Sequence, residues 1–156
     1  MEDRLFRDAM GKFATGVTVI TTLHEGQPHG MTANAFMSVS LDPKLVVISI
    51  GGNARCLSKI KDSGIFAVNI LAAHQQEQSM IFAGQIKEDR EVVFETLADI
   101  PVIPNALAQV SCDVVAEYIE GDHTLFIGKV RDIRVQDGEP LLFYAGKYRS
   151  LETVQV

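Results

Sequence analysis

Cysteine is scarce in this sequence: the two cysteines, Cys56 and Cys112, lie far apart and form no CxxC pattern. Cysteines spaced in this way are most simply buried thiols in a reducing compartment. The opening segment MEDRLFRDAMGKF has no apolar core of the kind found in a secretory signal. No apolar run approaches the ~20 residues that a membrane-spanning helix needs. We therefore predict a cytoplasmic protein that makes no membrane contact.

Positive charge is also in short supply, with 14 Lys and Arg against 20 Asp and Glu and a formal net charge of −6. Nucleic acids and anionic membranes attract clustered Lys and Arg, so neither is a predicted partner. A content of 47% hydrophobic and 22% charged residues is ordinary for a globular protein. The length of 156 residues suits a single domain, 1–156, that buries a real core.

Several catalytic and nucleotide-binding motifs are missing. No GxGxxG follows a strand and no GxxxxGK[ST] occurs, so neither a Rossmann domain nor a phosphate loop is indicated. No GxSxG marks a nucleophilic serine. The histidines show no HxxxH or HExxH spacing and do not pair with the cysteines, so we predict no metal site; they are His24, His29, His74 and His123.

What the sequence does contain is a succession of apolar, β-branched segments separated by turns. Strands are predicted at 17–22, 29–43, 44–50 and 65–71, then from 107 onward, and at 123–135 and 140–146. The residues from 85 to 106 are predicted to form an irregular connection. Because most strands follow one another directly, an antiparallel sheet closed as a barrel is favoured over a doubly wound parallel sheet.

Short helices are predicted at the periphery of this mainly β fold. The first carries an apolar stripe and ends by Gly16, the second begins near a candidate N-cap at Asn53, and the third ends at Gly84. The stripe of the first helix has a spacing typical of an amphipathic helix; its members are Leu5, Phe6, Ala9, Met10 and Phe13.

The segment HGMTANAFMSVSLDP, residues 29–43, is unusually small and hydroxylated for a strand. Thr32, Asn34 and Ser38 offer polar groups, and Ala33 and Ala35 leave room between them. Flat walls with a few donors and acceptors suit a planar heterocycle. The alternative is an edge strand whose polar residues face water.

A second candidate site is SIGGNAR, residues 49–55. Its glycines permit close backbone approach, the following helix presents free N–H groups, and Arg55 adds a fixed charge, all of which suit a phosphate. The alternative is a glycine loop with a solvated arginine. A heterocycle cleft and a phosphate cradle about 15 residues apart together favour a nucleotide cofactor.

Three further features have both a functional and a structural interpretation. His123 follows a Gly-Asp turn at the start of a strand, where it contacts a ligand or only completes the turn. Tyr148 lies in GKYRS after the last apolar strand, either at a pocket or in an ordinary basic tail. FAG, residues 82–84, is sufficiently explained as the end of a helix.

These segments, in this order, resemble the small flavin reductase family, whose fold is the FMN-binding split barrel. The matching segments span nearly the whole chain: ATGVTVIT, GMTANAFMSVSLDP, FAVNIL, FAG, GDHTLFIG and PLLFYAGKYR. Within the family the resemblance is strongest to the reductase component of two-component phenol hydroxylases, followed by that of the 4-hydroxyphenylacetate monooxygenase system.

The resemblance implies roles for particular residues. The flavin ring would be bordered by Thr32, Ala33, Asn34, Ala35 and Phe36. Its phosphate or pyrophosphate would be held by Ser38, Asn53, Ala54 and Arg55. Another side of the flavin would contact Phe82, Ala83 and Gly84, and NADH would meet His123 and Tyr148. The family also implies a homodimer with flavin near the subunit interface.

The expected function is reduction of FAD or FMN by NADH, with His123 positioning the nicotinamide and no covalent catalyst. Free flavin and NADH would be the small-molecule partners. The reduced flavin would serve a separate monooxygenase that hydroxylates a phenolic or other aromatic substrate. The alternatives are a flavin-binding electron carrier or sensor without NADH turnover, an oxidase of the pyridoxamine-phosphate type, and a ligand-free barrel.

Overall fold

The structure is a computed structural model and describes residues 1–87 and 91–155. Its helices are α1 (Asp3–Met10), α2 (Arg55–Ser63) and α3 (Gln76–Phe82), the last preceded by a 3₁₀ turn at Ala73–Gln75. The first strands are β1 (Thr15–Gly16), β2 (Thr18–His24), β3 (Gln27–Ala33), β4 (Phe36–Leu41), β5 (Lys44–Gly51) and β6 (Ile65–Ile70). The remaining strands are β7 (Glu95–Leu97), β8 (Ile100–Val102), β9 (Ala108–Glu120), β10 (His123–Val135), β11 (Leu142–Tyr144) and β12 (Lys147–Arg149).

Seven strands form the main sheet, in the order β3-β2-β6-β9-β10-β5-β4, and each neighbouring pair is antiparallel. The two edge strands, β3 and β4, are consecutive in the chain and are joined only by Asn34 and Ala35. Three peptide steps span at most about 11 Å, so the sheet must curl until its edges approach each other. The predicted mainly β fold with peripheral helices is confirmed, and the unpaired edges are those of a split barrel.

The segment 29–43 is not the single return strand that the sequence predicts. The chain leaves β3 after Ala33 and enters β4 at Phe36, on the opposite edge of the main sheet. Asn34 and Ala35 bridge the split, and the carbonyl of Ala35 accepts a hydrogen bond from the Ser49 backbone at 3.1 Å. The small residues therefore lie where the chain crosses between edges.

The main core is formed by the inner face of the sheet together with α2. Buried side chains converge there from five strands and the helix: Ile20, Val46, Ile48, Ile50, Cys56, Ile60, Phe66, Val68, Val110, Cys112 and Phe126. Gly128 is required for the packing, because a Cβ atom at that position would lie 2.5 Å from the Phe66 ring and 2.9 Å from Cys112. Helix α2 thus helps to fill the interior of the curled sheet.

The connection predicted as irregular between 85 and 106 contains an ordered hairpin, β7–β8, in its described part. This hairpin covers the second face of β9, where Ser111 donates a hydrogen bond to the Leu97 carbonyl at 2.8 Å. Gln109 is buried on the same side and donates to the Ile103 carbonyl at 2.6 Å. Polar residues that alternate with the apolar ones of β9 are therefore buried as well. Residues 88–90 of the predicted connection lie outside the described residues.

Helix α1 ends at Met10, with Gly11 as its C-cap, rather than continuing toward Gly16. None of its residues is buried, and its apolar stripe is exposed, with Phe6 and Met10 accessible over 55% and 57% of their surface. The Ala145 backbone donates a hydrogen bond to the Gly11 carbonyl at 2.9 Å, which ties the end of the helix to the β11–β12 turn. The stripe therefore has no partner within the described part of this protomer.

Cys56 and Cys112 are both buried and unpaired, as the sequence predicts. Burial raises the pKa of the Cys112 thiol to about 12, and burial also raises that of Cys56, so both remain protonated at neutral pH. Among the described residues, no helix has both the length and the apolar character needed to cross a membrane.

Candidate flavin site

A cavity of about 800 Å³ opens at the split in the barrel. Its walls are mostly apolar, and they come from the segment before β2, from the crossing between β3 and β4, and from strands β2, β4, β5, β6 and β10. The lining residues are Phe13, Ala14, Thr15, Gly16, Thr18, Asn34, Ala35, Phe36, Met37, Val47, Ser49, Ile70 and Leu125. A cavity of this size and character suits a flat heterocyclic ligand.

Three predicted ring-contacting residues line this cavity: Asn34, Ala35 and Phe36. Asn34 and Ala35 are exposed at the crossing between β3 and β4, where both backbone carbonyls accept hydrogen bonds, from Phe36 and Ser49 respectively. Phe36 packs partly against the main core, which holds the start of β4 in place. The smallness of the segment thus leaves room for a ligand at the rim of the split.

Thr32 and Ala33 have structural partners instead. The Thr32 hydroxyl donates a hydrogen bond to the Ser79 carbonyl at 2.6 Å, which joins β3 to α3. The Ala33 carbonyl accepts a hydrogen bond from the Thr18 hydroxyl at 2.5 Å. Neither residue lines the cavity. Their proposed contact with a flavin therefore stays a prediction.

Ser38 lies on the other side of the sheet from the cavity wall. It pairs with Val46, whereas the neighbouring Met37 pairs with Val47 and lines the cavity. Gly51, where the predicted phosphate loop begins, is roughly 17 Å farther along β5 at about 3.4 Å per residue. The strand register therefore does not bring Ser38 next to the start of that loop, and its phosphate contact stays a prediction.

The loop after β5 has the close backbone approach that its glycines suggest. The Gly52 backbone donates a hydrogen bond to the Asp122 carbonyl at 2.8 Å, and a Cβ atom on Gly52 would lie 3.3 Å from that oxygen. Helix α2 begins at Arg55, and its N-cap is Ala54 rather than the predicted Asn53. No side chain caps this N-terminus and no acidic residue lies in its first turn, so the helix end favours an anion.

His123 lies beside this loop, at the rim of the cavity. His123 on β10 lies opposite Gly51 on β5. Two residues farther along the same strands, Leu125 lies opposite Ser49, and both of these residues line the cavity. Alternate residues of a strand share a face, so His123 is on the cavity side at roughly 7 Å from that pair. Its Nδ1 lies 2.8 Å from Asp122 Oδ1, and this hydrogen bond is the main cause of the lowered Asp122 pKa. The arrangement leaves Nε2 available for a ligand.

Phe82, Ala83 and Gly84 end α3, as predicted, but they do not line this cavity. The Phe82 ring packs so closely on β3 that a Cβ atom at Gly30 would lie only 2.8 Å from it. It also makes an edge contact with Phe94 at a centroid distance of 6.0 Å. Any contact of this helix end with the flavin of the same protomer therefore stays a prediction.

Tyr148 is held away from the cavity by its own contacts. Its hydroxyl forms a hydrogen bond with Ser79 Oγ at 2.8 Å, and its ring meets Phe143 edge-on at 5.3 Å between centroids. It lines a separate pocket of about 300 Å³ together with Arg149. The structure therefore does not bring Tyr148 and His123 into one pocket, and the proposed NADH contact of Tyr148 is untested.

Part of the cavity wall was missed at the level of the sequence. Ala14, Thr15 and Gly16 form a second run of small residues, and the reasoning applied to residues 32–35 would also have selected it. Val47, Ser49, Ile70 and Leu125 come from other strands, and only the sheet register places them together. Ser49 falls in the candidate segment 49–55, but no local pattern marks Val47, Ile70 or Leu125 as lining a cavity.

A family model described as a flavin reductase-like domain matches residues 10–152. The chain belongs to the flavin reductase-like family. The predicted family is thereby confirmed.

Relatives of this flavin reductase-like chain support the same function class. It is 46% identical over 149 residues to an NADH-dependent flavin reductase from Rhodococcus sp., covering 94% of this chain and 85% of that one. It is 35% identical over 147 residues to the reductase component of 4-hydroxyphenylacetate 3-monooxygenase from Thermus thermophilus, covering 94% and 95%. The predicted function class, a flavin reductase that works with a monooxygenase component, is confirmed at this level.

The fold of the flavin reductase-like chain is shared with a solved structure at high identity. The native-state structure of flavin reductase PheA2 superposes with a TM-score of 0.96 at 61% identity, covering 98% of this chain and 100% of that one. This likeness confirms the predicted split-barrel architecture.

The residues of this flavin reductase-like chain fit a flavin on the observations above. The cavity has mainly apolar walls, and Thr15, which lines it, carries the one buried side-chain hydroxyl without a hydrogen-bond partner among the described residues. The uncapped end of α2 and Arg55 are available for an anionic tail. In the described ranges, no group of three or more His, Cys, Asp or Glu is arranged to hold a metal ion.

Proposed function

We propose that this protein reduces FAD or FMN with NADH and releases the reduced flavin to a separate monooxygenase component. The observation that supports the proposal most is the cavity of about 800 Å³ at the split of the barrel, lined by Asn34, Ala35 and Phe36. Three of the five residues predicted to border a flavin ring therefore line one cavity in a flavin reductase-like chain.

When bound, the flavin supplies the redox chemistry by accepting a hydride at its N5 atom from C4 of the nicotinamide. The chain contributes binding and orientation. The mainly apolar walls from β4, β5, β6 and β10 would hold the flavin and nicotinamide rings and limit the water beside them, so that the two rings could lie close enough for transfer. No acid, base or nucleophile of the protein is needed for this reaction.

His123 is proposed to position the nicotinamide nucleotide at the cavity rim. Its Nδ1–H donates to the Asp122 carboxylate at 2.8 Å, which holds the ring and keeps Nε2 directed away from Asp122. About half of the His123 side chain is exposed, so a ligand can reach it. The role proposed here is in binding and orientation rather than in proton transfer.

The flavin phosphate is proposed to sit at the loop formed by Asn53, Ala54 and Arg55. Backbone N–H groups at the start of α2 and the Arg55 guanidinium supply donors and positive charge. FAD and FMN share the ring and this phosphate, so the same loop serves both. The two free, buried thiols are consistent with action in the reducing cytoplasm.

We propose that the protein forms a homodimer through the apolar side of its main sheet. Residues paired across β4, β5, β10 and β9 share one face that continues out of the cavity: Met37, Val47, Ser49, Ile127, Leu125 and Tyr118. Met37 and Tyr118 are 58% and 54% exposed, and Phe13 at the cavity mouth is 79% exposed. An apolar surface of this kind favours burial against a second copy, which would also close the open side of the cavity.

The oxygenase partner is proposed to act on a phenolic or other aromatic substrate. The support is the similarity to the reductase component of 4-hydroxyphenylacetate 3-monooxygenase, which covers nearly the full length of both chains. The test is a coupled assay in which the purified reductase, flavin and NADH are added to oxygenase components of phenol and of 4-hydroxyphenylacetate hydroxylation. Failure to support hydroxylation by any of them would contradict this part of the proposal.

Flavin reduction itself is tested by anaerobic mixing of the purified protein with FAD or FMN and NADH. We expect the ~450 nm absorbance of oxidised flavin to bleach at a rate proportional to protein concentration. Flavin that binds tightly but keeps its colour with NADH would instead support an electron carrier or sensor. Absence of flavin binding would leave a ligand-free barrel and contradict the whole proposal.

A further inference from the structure

The side chain of Thr15 has a buried hydroxyl with no hydrogen-bond partner among the residues that the structure describes. Most buried polar side-chain atoms in proteins have a partner, because an unpaired one loses its bonds to water without compensation. Because Thr15 also lines the cavity, this unpaired hydroxyl gives up no hydrogen bond when it turns toward a ligand there.

Neighbouring hydroxyls show that this fold normally satisfies such groups. Thr18, which also lines the cavity, donates to the Ala33 carbonyl at 2.5 Å. Thr22, on the same strand but away from the cavity, donates to the Ile65 carbonyl at 2.8 Å. The free hydroxyl is thus a property of the Thr15 position and not of the strands around it.

The backbone of Thr15 is held firmly while its side chain has a choice of positions. Strand β1 pairs with β11, where Thr15 lies opposite Phe143, and the residue lines the cavity between Ala14 and Gly16. In the structure Oγ1 is buried and does not face the cavity, so the hydroxyl reaches the cavity by rotation about χ1 to another staggered rotamer. The hydroxyl can therefore face a ligand in the cavity without any movement of the backbone.

We propose that the Thr15 hydroxyl forms a hydrogen bond with the polar edge of the flavin ring system and so sets the orientation of the ring in the cavity. This inference rests on the proposed function. A hydroxyl both donates and accepts, which matches a ring edge that carries carbonyl and N–H groups. Most of the cavity wall is apolar, so a single polar contact of this kind has a large influence on which way the ring lies.

The test compares the wild type with Thr15→Val and Thr15→Ser for binding of riboflavin, FMN and FAD. Valine keeps the shape and removes the hydroxyl, so we expect the dissociation constant to rise about three- to tenfold, as for loss of a neutral hydrogen bond. The rise should be equal for all three flavins, since riboflavin has no phosphate. Thr15→Ser keeps the hydroxyl and should keep most of the wild-type affinity. Thr15→Ala removes the hydroxyl and should bind flavin as weakly as Thr15→Val.

Thermal unfolding without flavin separates a ligand contact from a structural one. Thr15→Val should not lower the midpoint, whereas the control Thr22→Val should lower it and leave flavin affinity unchanged. Unchanged flavin affinity in Thr15→Val, a raised KM for NADH alone, or a midpoint lowered as in Thr22→Val would each overturn the inference. Wild-type protein that bound none of the three flavins would overturn the proposed function, and this inference with it.

Discussion

At the scale of single residues, small side chains determine where the cavity lies. Ala35 at the crossing from β3 to β4 and Ala14 and Gly16 before β2 leave space that larger residues would fill. Few polar groups are proposed to contact a ligand there. Thr15 lines the cavity, His123 lies at its rim, and Arg55 lies at the start of α2. Each can be removed without disturbing the buried core, so each role can be tested separately.

His123→Ala tests the nicotinamide contact. We expect the KM for NADH to rise while the dissociation constant of flavin stays nearly unchanged, because His123 lies at the rim rather than on the cavity wall. Steady-state kinetics with varied NADH, together with flavin titration, measure the two effects. His123→Gln, which keeps a side-chain N–H, should lose less. A loss of flavin affinity would contradict the assignment.

Arg55→Ala tests the phosphate contact. A charge-assisted hydrogen bond to phosphate contributes roughly 1–3 kcal/mol, so FMN and FAD should bind more weakly by about that amount. Riboflavin, which lacks the phosphate, is the control ligand and should bind as to the wild type. Equal affinities of the variant and the wild type for FMN would show that Arg55 is only a solvated arginine.

At the scale of elements, the β7–β8 hairpin helps to bury both faces of the first part of β9, residues 109–112. Arg131 on β10 reinforces its position: its guanidinium donates to both carboxylate oxygens of Asp113 at 2.9 and 2.6 Å and to the Ala98 carbonyl at 3.0 Å. Asp113 lies on β9 and Ala98 in the β7–β8 turn. One side chain therefore joins two strands of the main sheet to the hairpin that covers them.

Asp113→Asn tests this link through its pH dependence. The hydrogen bond from Arg131 lowers the Asp113 pKa below its usual value of 3.8, so the carboxylate stabilises the fold above that pH. Stability from this source is lost as the pH falls through the lowered pKa of the folded state. Both side chains are partly exposed, so we expect the variant to lose less than about 1 kcal/mol at pH 7.

Urea unfolding between pH 7 and pH 2 measures the effect of that change. The difference in unfolding free energy between Asp113→Asn and the wild type should shrink as the pH falls, because the native carboxylate becomes protonated and loses its charge. Asp137→Asn, at an exposed aspartate outside the strands, is the matched control and should show no such trend. A difference that grew on acidification would contradict the sign of the Asp113 pKa shift.

At the scale of the whole molecule, the split in the barrel joins the fold to the proposed assembly. The two edges of the main sheet approach at Asn34 and Ala35 without pairing, and the cavity opens there. The exposed apolar residues around its mouth, among them Phe13 and Met37, lie on the same side as the sheet face proposed to meet a second copy. A closed barrel would have offered neither the cavity nor its continuation into an interface.

Tyr118→Asp tests the homodimer. Sedimentation velocity should give a dimer for the wild type and a monomer for the variant, because a carboxylate would be buried unpaired in the interface. The thermal midpoint of the protomer should change little, since Tyr118 is 54% exposed there. Flavin affinity should fall because the open side of the cavity is no longer covered. Leu151→Asp, at another exposed apolar residue, should remain dimeric. A monomeric wild type would contradict the proposal.

Local patterns were sufficient for the strand-rich class of fold, the three helices and the buried thiols. β-branched runs and turn residues act over a few neighbours, so a single sequence carries that information. Local patterns were insufficient where packing decides the structure. The N-cap of α2 is Ala54 and not the predicted Asn53, α1 ends at Met10 before the predicted limit of Gly16, and residues 85–106 contain a hairpin that was not predicted. These positions depend on what another part of the chain provides.

By itself, the sequence determined the family, the flavin reductase class and the small, polar character of residues 32–38, because those properties are carried by residue type and order. Only the tertiary structure decided which of these residues share a cavity. Curling of the main sheet brings Asn34 and Ala35 together with Thr15 and Leu125, and it leaves Ser38 on the other face. Strand register and sheet closure arise from the packing of the whole chain, and no single segment encodes them.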